Sequence, residues 1–158
     1  MEKVVNLRLT KVLKQKNIIK PTQPEAEKGK STLEPLISIK EHIRRAFRQR
    51  RATIAIFFDI ERAYDCTWKF QILKALKNGG IKGQIAQFIQ NFLSERHFQV
   101  KIDDTLSNKH VQTNGIAQGS VLSCTLFKLA INSIVKDLPA NLRNSLFMDD
   151  FCLYITAR

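Results

Sequence analysis

Residues that build cross-links are scarce in this 158-residue chain, which contains three cysteines and three histidines. Because three is an odd number and no two cysteines form a CxxC pair, neither a disulfide scaffold nor a zinc site is expected. Cys66, Cys124 and Cys152 therefore favour a reducing, intracellular compartment.

Long apolar runs are absent as well. No stretch approaches the roughly 20 apolar residues that cross a bilayer, so we expect no transmembrane helix and no membrane partner. The first five residues lack the charged and then apolar order of a signal peptide, so no leader is expected. Hydrophobic residues make up 44% of the chain, which is enough for a core and excludes disorder throughout.

Acidic residues are few beside basic ones: 14 Asp and Glu stand against 26 Lys and Arg, for a net charge of +12. The excess is concentrated in residues 1–51, where 14 basic and 5 acidic side chains leave +9. Such a surface attracts polyanions, of which nucleic acid is the commonest in cells. A solvated helix surface is the alternative, and charge alone does not separate DNA, RNA and acidic membrane.

The spacing of apolar residues predicts an α+β fold, with a small antiparallel sheet packed on helices. Helices are predicted at residues 3–16, 68–77, 85–92 and 121–138, with a further helix capped by Ser31 or Thr32 and packed through Leu36, Ile39, Ile43 and Phe47. Residues 53–58 are predicted to form a fully buried strand, and two hairpins are predicted at 98–113 and 145–155. We expect Trp68 in the core and His97 and His110 at the surface.

Four aspartates lie in apolar surroundings: Asp59, Asp65, Asp149 and Asp150. Asp59 follows the predicted central strand and the Asp149–Asp150 pair forms the bend of a hairpin, so they can converge across 90 residues. Three carboxylates can bind two divalent cations about 3.5–4 Å apart and promote displacement at phosphorus, and Mg²⁺ suits such a site. On a basic protein this points to a polymerase, a nuclease or an integrase-like enzyme. Ordinary turn aspartates are the alternative that spacing leaves open.

Three local sequences narrow this choice. They are FFDIERAYD at residues 57–65, NGIAQGSVLS at 114–123 and FMDD at 147–150. In this order they resemble the palm motifs of reverse transcriptases, and NFLSER at 91–96 is similar to the jockey-like non-LTR retrotransposon branch. The resemblance implies a right-hand polymerase, with part of the fingers at residues 1–52 and the palm at 53–158, truncated before the thumb.

The same resemblance implies roles for individual residues. Asp59, Asp149 and Asp150 would be the catalytic residues and, with the backbone of Ile60, would hold two Mg²⁺ ions, or Mn²⁺ in their place. The nucleotide would be bound by four residues, Glu61, Tyr64, Gln118 and Gly119. Tyr64 would be the gate that excludes a ribose 2′-OH. A core aromatic is the alternative for Tyr64, a surface loop residue for Gln118 alone, and a salt bridge to Arg62 or a helix cap for Asp65.

The partners implied are an RNA template, a DNA primer and dNTPs, acting in the nucleus or the cytoplasm. Oligomeric state is not indicated. The residues expected to contact nucleic acid are Lys28, Lys30, Arg44, Arg45 and Met148, with a solvated loop as the alternative for the two lysines.

The chain departs from the family pattern at Glu27, where Arg is usual, and at Ala117 and Cys124, where Pro is usual. The finger strands, later palm segments and thumb of the family lie outside it, so we expect a fragment with weak or no isolated activity. Two functions therefore stay open. One is RNA-directed DNA synthesis, in which a primer 3′-OH attacks a dNTP, and the other is a catalytically silent, basic nucleic-acid-binding remnant.

Overall fold

The chain folds as two units, each assembled from segments that are distant in sequence. Unit 1 comprises Met1–Ile18 and Tyr64–Ala130, and unit 2 comprises Ile19–Ala63 and Ile131–Arg158. The structure is a computed structural model that describes residues 1–19, 33–135, 138–139, 141–147 and 149–157. Its elements are α1 (Glu2–Gln15), α2 (Leu33–Arg48), β1 (Ala52–Phe58), α3 (Lys69–Asn78), α4 (Gln84–Leu93), β2 (His97–Phe98), β3 (Lys101–Ile102), β4 (Thr105–Leu106), β5 (His110–Val111), α5 (Val121–Ile131), β6 (Arg143–Phe147) and β7 (Asp150–Ala157). The predicted α+β class is confirmed.

Unit 2 is a three-stranded antiparallel sheet, in the order β1-β7-β6, with α2 packed against it. Ile39 and Ile43 of α2 contact Cys152 and Tyr154 of β7. These pairs have the spacings that put side chains on one face of a helix and one face of a strand, respectively. A hydrogen bond of 3.0 Å between Thr156 Oγ1 and His42 Nε2 joins the same two elements.

Strand β1 forms where residues 53–58 predicted a strand, but the prediction that it is fully buried is wrong. Among the described residues, the strand lies at an edge of its sheet and pairs with β7 alone. Its side chains are exposed along most of its length, with Phe57 70% and Ile54 54% exposed. An apolar β-branched run specifies extended backbone through side-chain shape, whereas burial also needs a neighbour on each face and edge.

Unit 1 is mainly helical, and its core is made by apolar residues from four helices and two connecting segments. The fully buried members include Leu9, Leu13, Ile72, Ile89, Ile116, Leu122, Leu126 and Leu129. Two side-chain hydrogen bonds of 2.7 Å tie α1 to the segment at α5, from Ser120 Oγ to Glu2 Oε1 and from Thr125 Oγ1 to Asn6 Oδ1. In the described part of the chain, no helix is long and apolar enough to span a bilayer.

The predicted hairpin at 98–113 is confirmed as two nested ladders, in which β2 pairs with β5 and β3 with β4. The predicted hairpin at 145–155 is also confirmed, and extends over Arg143–Phe147 and Asp150–Ala157. His97 and His110 are exposed, as expected.

The helix predictions need two corrections. Helix α5 ends at Ile131 and not at residue 138, because Asn132 and Ser133 follow and both residue types favour helix ends over helix interiors. On α2, Leu36 and Phe47 are exposed, so Ile39 and Ile43 alone carry the predicted apolar face. The proposed caps, Ser31 and Thr32, lie outside the described residues.

Trp68 is not in the core. It precedes the first residue of α3 and is 57% exposed. Its ring packs against the ring of Phe70, with the centroids 5.1 Å apart. Size and apolar character favoured burial, but a helix N-cap position places the side chain beside the first turn, where the core does not reach it.

Candidate functional site

The strand pairing of unit 2 brings the three predicted catalytic aspartates to one end of the sheet. Phe58, the last residue of β1, pairs with Phe151 of β7, and their rings lie 5.8 Å apart. Asp59 and Asp150 therefore lie one residue beyond this pair, on neighbouring strands. Asp149 immediately precedes Asp150 in the connection from β6. The last pair of the ladder is Phe58 with Phe151, so Asp59 follows the end of β1 at the end of the sheet where β7 begins.

All three carboxylates are exposed, and none forms a salt bridge with another described residue. Their donor chemistry fits Mg²⁺, which prefers carboxylate oxygens and tolerates few protein ligands. Within the described ranges, no group of three His, Cys, Asp or Glu side chains lies close enough to hold a metal ion. The structure therefore brings the three backbone positions to one end of the sheet but does not group the three side chains as metal ligands.

Tyr64, the predicted gate, is held by helix α5 in unit 1. Its ring stacks on the ring of Phe127, with the centroids 5.2 Å apart and the planes 16° from parallel. Its hydroxyl donates to the Cys124 thiol at 3.4 Å. The side chain is half-buried against this helix, which is the packing expected from the alternative of a core aromatic. Nothing in the sequence indicated that Phe127 and Cys124 would be its partners.

The glutamine loop, residues 114–120, is clamped by its backbone to the segment that carries Tyr64. The amide of Gly115 donates to the carbonyl of Thr67 at 2.8 Å, and the amide of Ile116 donates to the carbonyl of Tyr64 at 2.9 Å. Gly115 has a φ of +84°, and a Cβ added there would lie 2.5 Å from the carbonyl oxygen of Asp65. Glycine is therefore required here both by its backbone conformation and by the close approach.

The side chains of Gln118, in the glutamine loop, and Asp65, in the segment that carries Tyr64, are in contact. The Gln118 Nε2 group donates to Asp65 Oδ1 at 3.4 Å, and both residues are exposed. The alternative of a salt bridge between Asp65 and Arg62 is not supported, because Arg62 pairs with Glu61 at 3.8 Å. Gly119 follows with a φ of +82° and open space around it.

The other predicted site residues fall into two groups. Ile60 is half-buried and Glu61 exposed just after β1, and Arg44 and Arg45 are exposed on α2, where Arg44 pairs with Glu41 at 3.2 Å. Lys28, Lys30 and Met148 lie outside the described residues, as does Glu27, the departure from the family pattern.

Exposed carboxylates at a strand end, in a chain with a net charge of +12, make the protein a candidate for metal-dependent phosphoryl transfer on nucleic acid. The chain belongs to the reverse transcriptase (RNA-dependent DNA polymerase) family, whose profile matches residues 1–158. The family predicted from the sequence is thereby confirmed.

Several curated proteins are similar to this chain. The probable RNA-directed DNA polymerase from transposon BS of Drosophila melanogaster is 26% identical over 138 residues, which cover 87% of this chain and 15% of that protein. The corresponding protein from the X-element transposon of the same species is 24% identical over 160 aligned residues, or 99% of this chain and 18% of that protein.

The RNA-directed DNA polymerase from mobile element jockey of Drosophila melanogaster is 29% identical over 96 residues, covering 61% of this chain and 10% of that protein. This similarity agrees with the jockey-like character seen in the motifs. The chain thus spans less than a fifth of the length of these relatives.

Proposed function

We propose that the chain carries out RNA-directed DNA synthesis as the palm and part of the fingers of a right-hand polymerase, with residues 1–52 on the fingers side and 53–158 as palm. The reaction is the attack of a primer 3′-OH on the α-phosphate of a dNTP, with pyrophosphate as the leaving group. Its family membership and its relatives support this class of reaction. We propose that it acts inside the cell, in the nucleus, where genomic DNA can supply the primer.

The observation that carries the proposal is the register between β1 and β7. Because Phe58 pairs with Phe151, residues 59 and 150 come to the same end of one sheet although the sequence separates them by more than 90 residues. All three carboxylates are exposed, and among the described residues no cation pairs with them. Their oxygens are therefore accessible to a divalent metal ion, which prefers such ligands.

The proposed roles are divided among the residues as follows. Asp59, Asp149, Asp150 and the backbone of Ile60 would hold two Mg²⁺ ions, which when bound would lower the pKa of the primer hydroxyl and neutralise charge on the phosphates. Tyr64 would contact the deoxyribose and exclude a 2′-OH, and Gln118, Gly119 and Glu61 would contact the nucleotide.

Nucleic acid would be bound mainly through charge. Arg44 and Arg45 are exposed on α2, close in sequence to Arg48, Arg50 and Arg51, which are exposed too. Lys28, Lys30 and Met148 are proposed as further contacts to the RNA template or the DNA primer. Each cation that neutralises a phosphate adds about one unit to the salt dependence of binding.

A primer-extension assay tests the proposal. The chain is given a poly(rA) template, an oligo(dT) primer, dTTP and Mg²⁺, and Asp149→Ala is compared with Asp104→Ala. Asp104 is an exposed carboxylate in the β3–β4 turn and makes a matched control. We expect weak, magnesium-dependent extension by the wild type and by Asp104→Ala, and none by Asp149→Ala. Absence of any product above the Asp149→Ala level would refute the enzymatic proposal for this chain.

A silent nucleic-acid-binding remnant is the second candidate, favoured by the lack of a three-ligand group among the described side chains. Under this alternative, wild type and Asp149→Ala would bind an RNA–DNA duplex with the same affinity and the same steep salt dependence, and neither would extend the primer.

A further inference from the structure

We propose that Asp65 is a positioning residue for Gln118: its carboxylate fixes the orientation of the Gln118 side-chain amide so that the amide oxygen is presented to the nucleotide. The proposal rests on the proposed function, because it assigns Gln118 to the nucleotide. It concerns unit 1 alone, since both residues belong to that unit.

The chemistry of the contact permits only one orientation of the amide. An ionised carboxylate accepts hydrogen bonds and donates none, so the NH₂ group of Gln118 must face Asp65. The distance of 3.4 Å between Nε2 and Oδ1 agrees with that assignment. It leaves Oε1 as the atom of Gln118 that is available to a donor on a ligand, such as a sugar hydroxyl or a base amino group.

The backbone around this pair is already rigid. The bonds from Gly115 to Thr67 and from Ile116 to Tyr64 hold the glutamine loop against the segment that carries Asp65. The Asp65 carbonyl itself lies against Gly115, where a Cβ would come within 2.5 Å. The main chain on either side of Asp65, at Tyr64 and Thr67, therefore holds the loop in place, and the Asp65 side chain contacts Gln118.

A long amide side chain on an open surface otherwise has several rotamers. If the Gln118 side chain is already fixed, binding of dNTP does not have to order it. Loss of the contact with Asp65 should therefore weaken dNTP binding by about two- to tenfold. Because the contact is present both before and during the reaction, the loss should raise KM for dNTP and leave kcat nearly unchanged.

The experiment follows the Gln118 side chain directly. In the ¹⁵N-labelled chain, the Gln118 NH₂ resonances are identified by their absence in Gln118→Ala. They are then compared in the wild type, Asp65→Ala, Asp65→Asn and Asp104→Ala. Asp65→Asn keeps a neutral oxygen acceptor at the same position and is the conservative variant. KM and kcat for dTTP are measured on the same four proteins, and circular dichroism checks that each is folded.

We expect the Gln118 resonances to move in Asp65→Ala, to move less in Asp65→Asn and to stay in place in Asp104→Ala. We expect KM for dTTP to rise most in Asp65→Ala, to rise less in Asp65→Asn and to stay unchanged in Asp104→Ala, with kcat nearly the same in all of them. Unmoved resonances in Asp65→Ala would refute the contact, whatever the activity. Moved resonances with an unchanged KM in an active wild type would refute the positioning role. An inactive wild type would refute the proposed function, and the nucleotide role with it, while the resonances would still decide the contact.

Discussion

Gly115 is the position where one added methyl group tests the packing of the glutamine loop most sharply. In Gly115→Ala, the new Cβ would lie 2.5 Å from the carbonyl oxygen of Asp65 and 3.0 Å from its Cα. These are backbone atoms that cannot turn aside, so the loop has to move and its two backbone hydrogen bonds weaken. The positive φ costs about 1–2 kcal/mol for alanine and each lost bond about 1 kcal/mol, so we expect unfolding to become easier by about 2–4 kcal/mol.

Gly119→Ala is the matched control for this prediction. Gly119 has nearly the same φ, +82°, but nothing lies within 4 Å of an added Cβ. Only the conformational cost of about 1–2 kcal/mol applies there. Urea unfolding followed by circular dichroism gives the free energy of unfolding of both variants. Equal losses would refute the argument that close backbone contact, and not φ alone, requires glycine at position 115.

Two further predictions concern stability. Ile72→Ala removes a fully buried side chain and should lower the free energy of unfolding by about 2–5 kcal/mol. Trp68→Ala should lower it by well under half of that, because Trp68 is 57% exposed. Similar losses for the two variants in chemical denaturation would contradict the assignment of the core. Burial, and then the charges of Arg143 and Arg45, lower the pKa of His42 below 6.5. Since the folded state binds this proton less tightly than the unfolded state, the contribution to stability is complete above pH 6.5 and is lost as the pH falls from there through the lowered pKa. His42→Gln should flatten the pH dependence of the melting temperature between pH 7 and pH 5, and an unchanged slope would contradict this assignment.

Local sequence patterns were enough to predict where strands and helices form, but not which of their side chains are buried. Residues 53–58 have the composition of a central strand. They do form a strand, but β1 is an exposed strand at the edge of its sheet. The same limit explains Trp68. A side chain's shape acts on its own backbone and is visible in the sequence, whereas burial depends on partners whose positions are set by the whole chain.

The end of helix α5 could not be predicted from its apolar pattern. The apolar run after residue 121 continues past Ile131, so its periodicity gave no reason to end α5 there. The polar pair Asn132 and Ser133 was the available signal, since their side chains compete for backbone hydrogen bonds. Pro139, which follows the predicted helix at 121–138, lies eight residues beyond the actual end of α5.

The candidate site was predictable to the extent that it depends on strand order. A strand followed by Asp59 and a hairpin that turns at Asp149 need only antiparallel pairing to bring these backbone positions to one end of a sheet, and the register of β1 with β7 supplies that pairing. The contact between Asp65 and Gln118 joins residues 53 positions apart on two irregular segments. No periodicity links such positions, so the sequence offered only local alternatives for Asp65.

We propose that Asp59, Asp149 and Asp150 act as one metal site although they come from the ends of separate strands. Binding of Mn²⁺, which prefers the same oxygen ligands as Mg²⁺, tests it directly through the loss of the free-ion signal in electron paramagnetic resonance. We predict that Asp59→Asn and Asp150→Asn each weaken binding by about tenfold or more, while Asp104→Asn binds as the wild type does. Wild-type binding in Asp59→Asn, together with a loss in Asp150→Asn, would contradict the claim, because the two strand ends would then not share an ion.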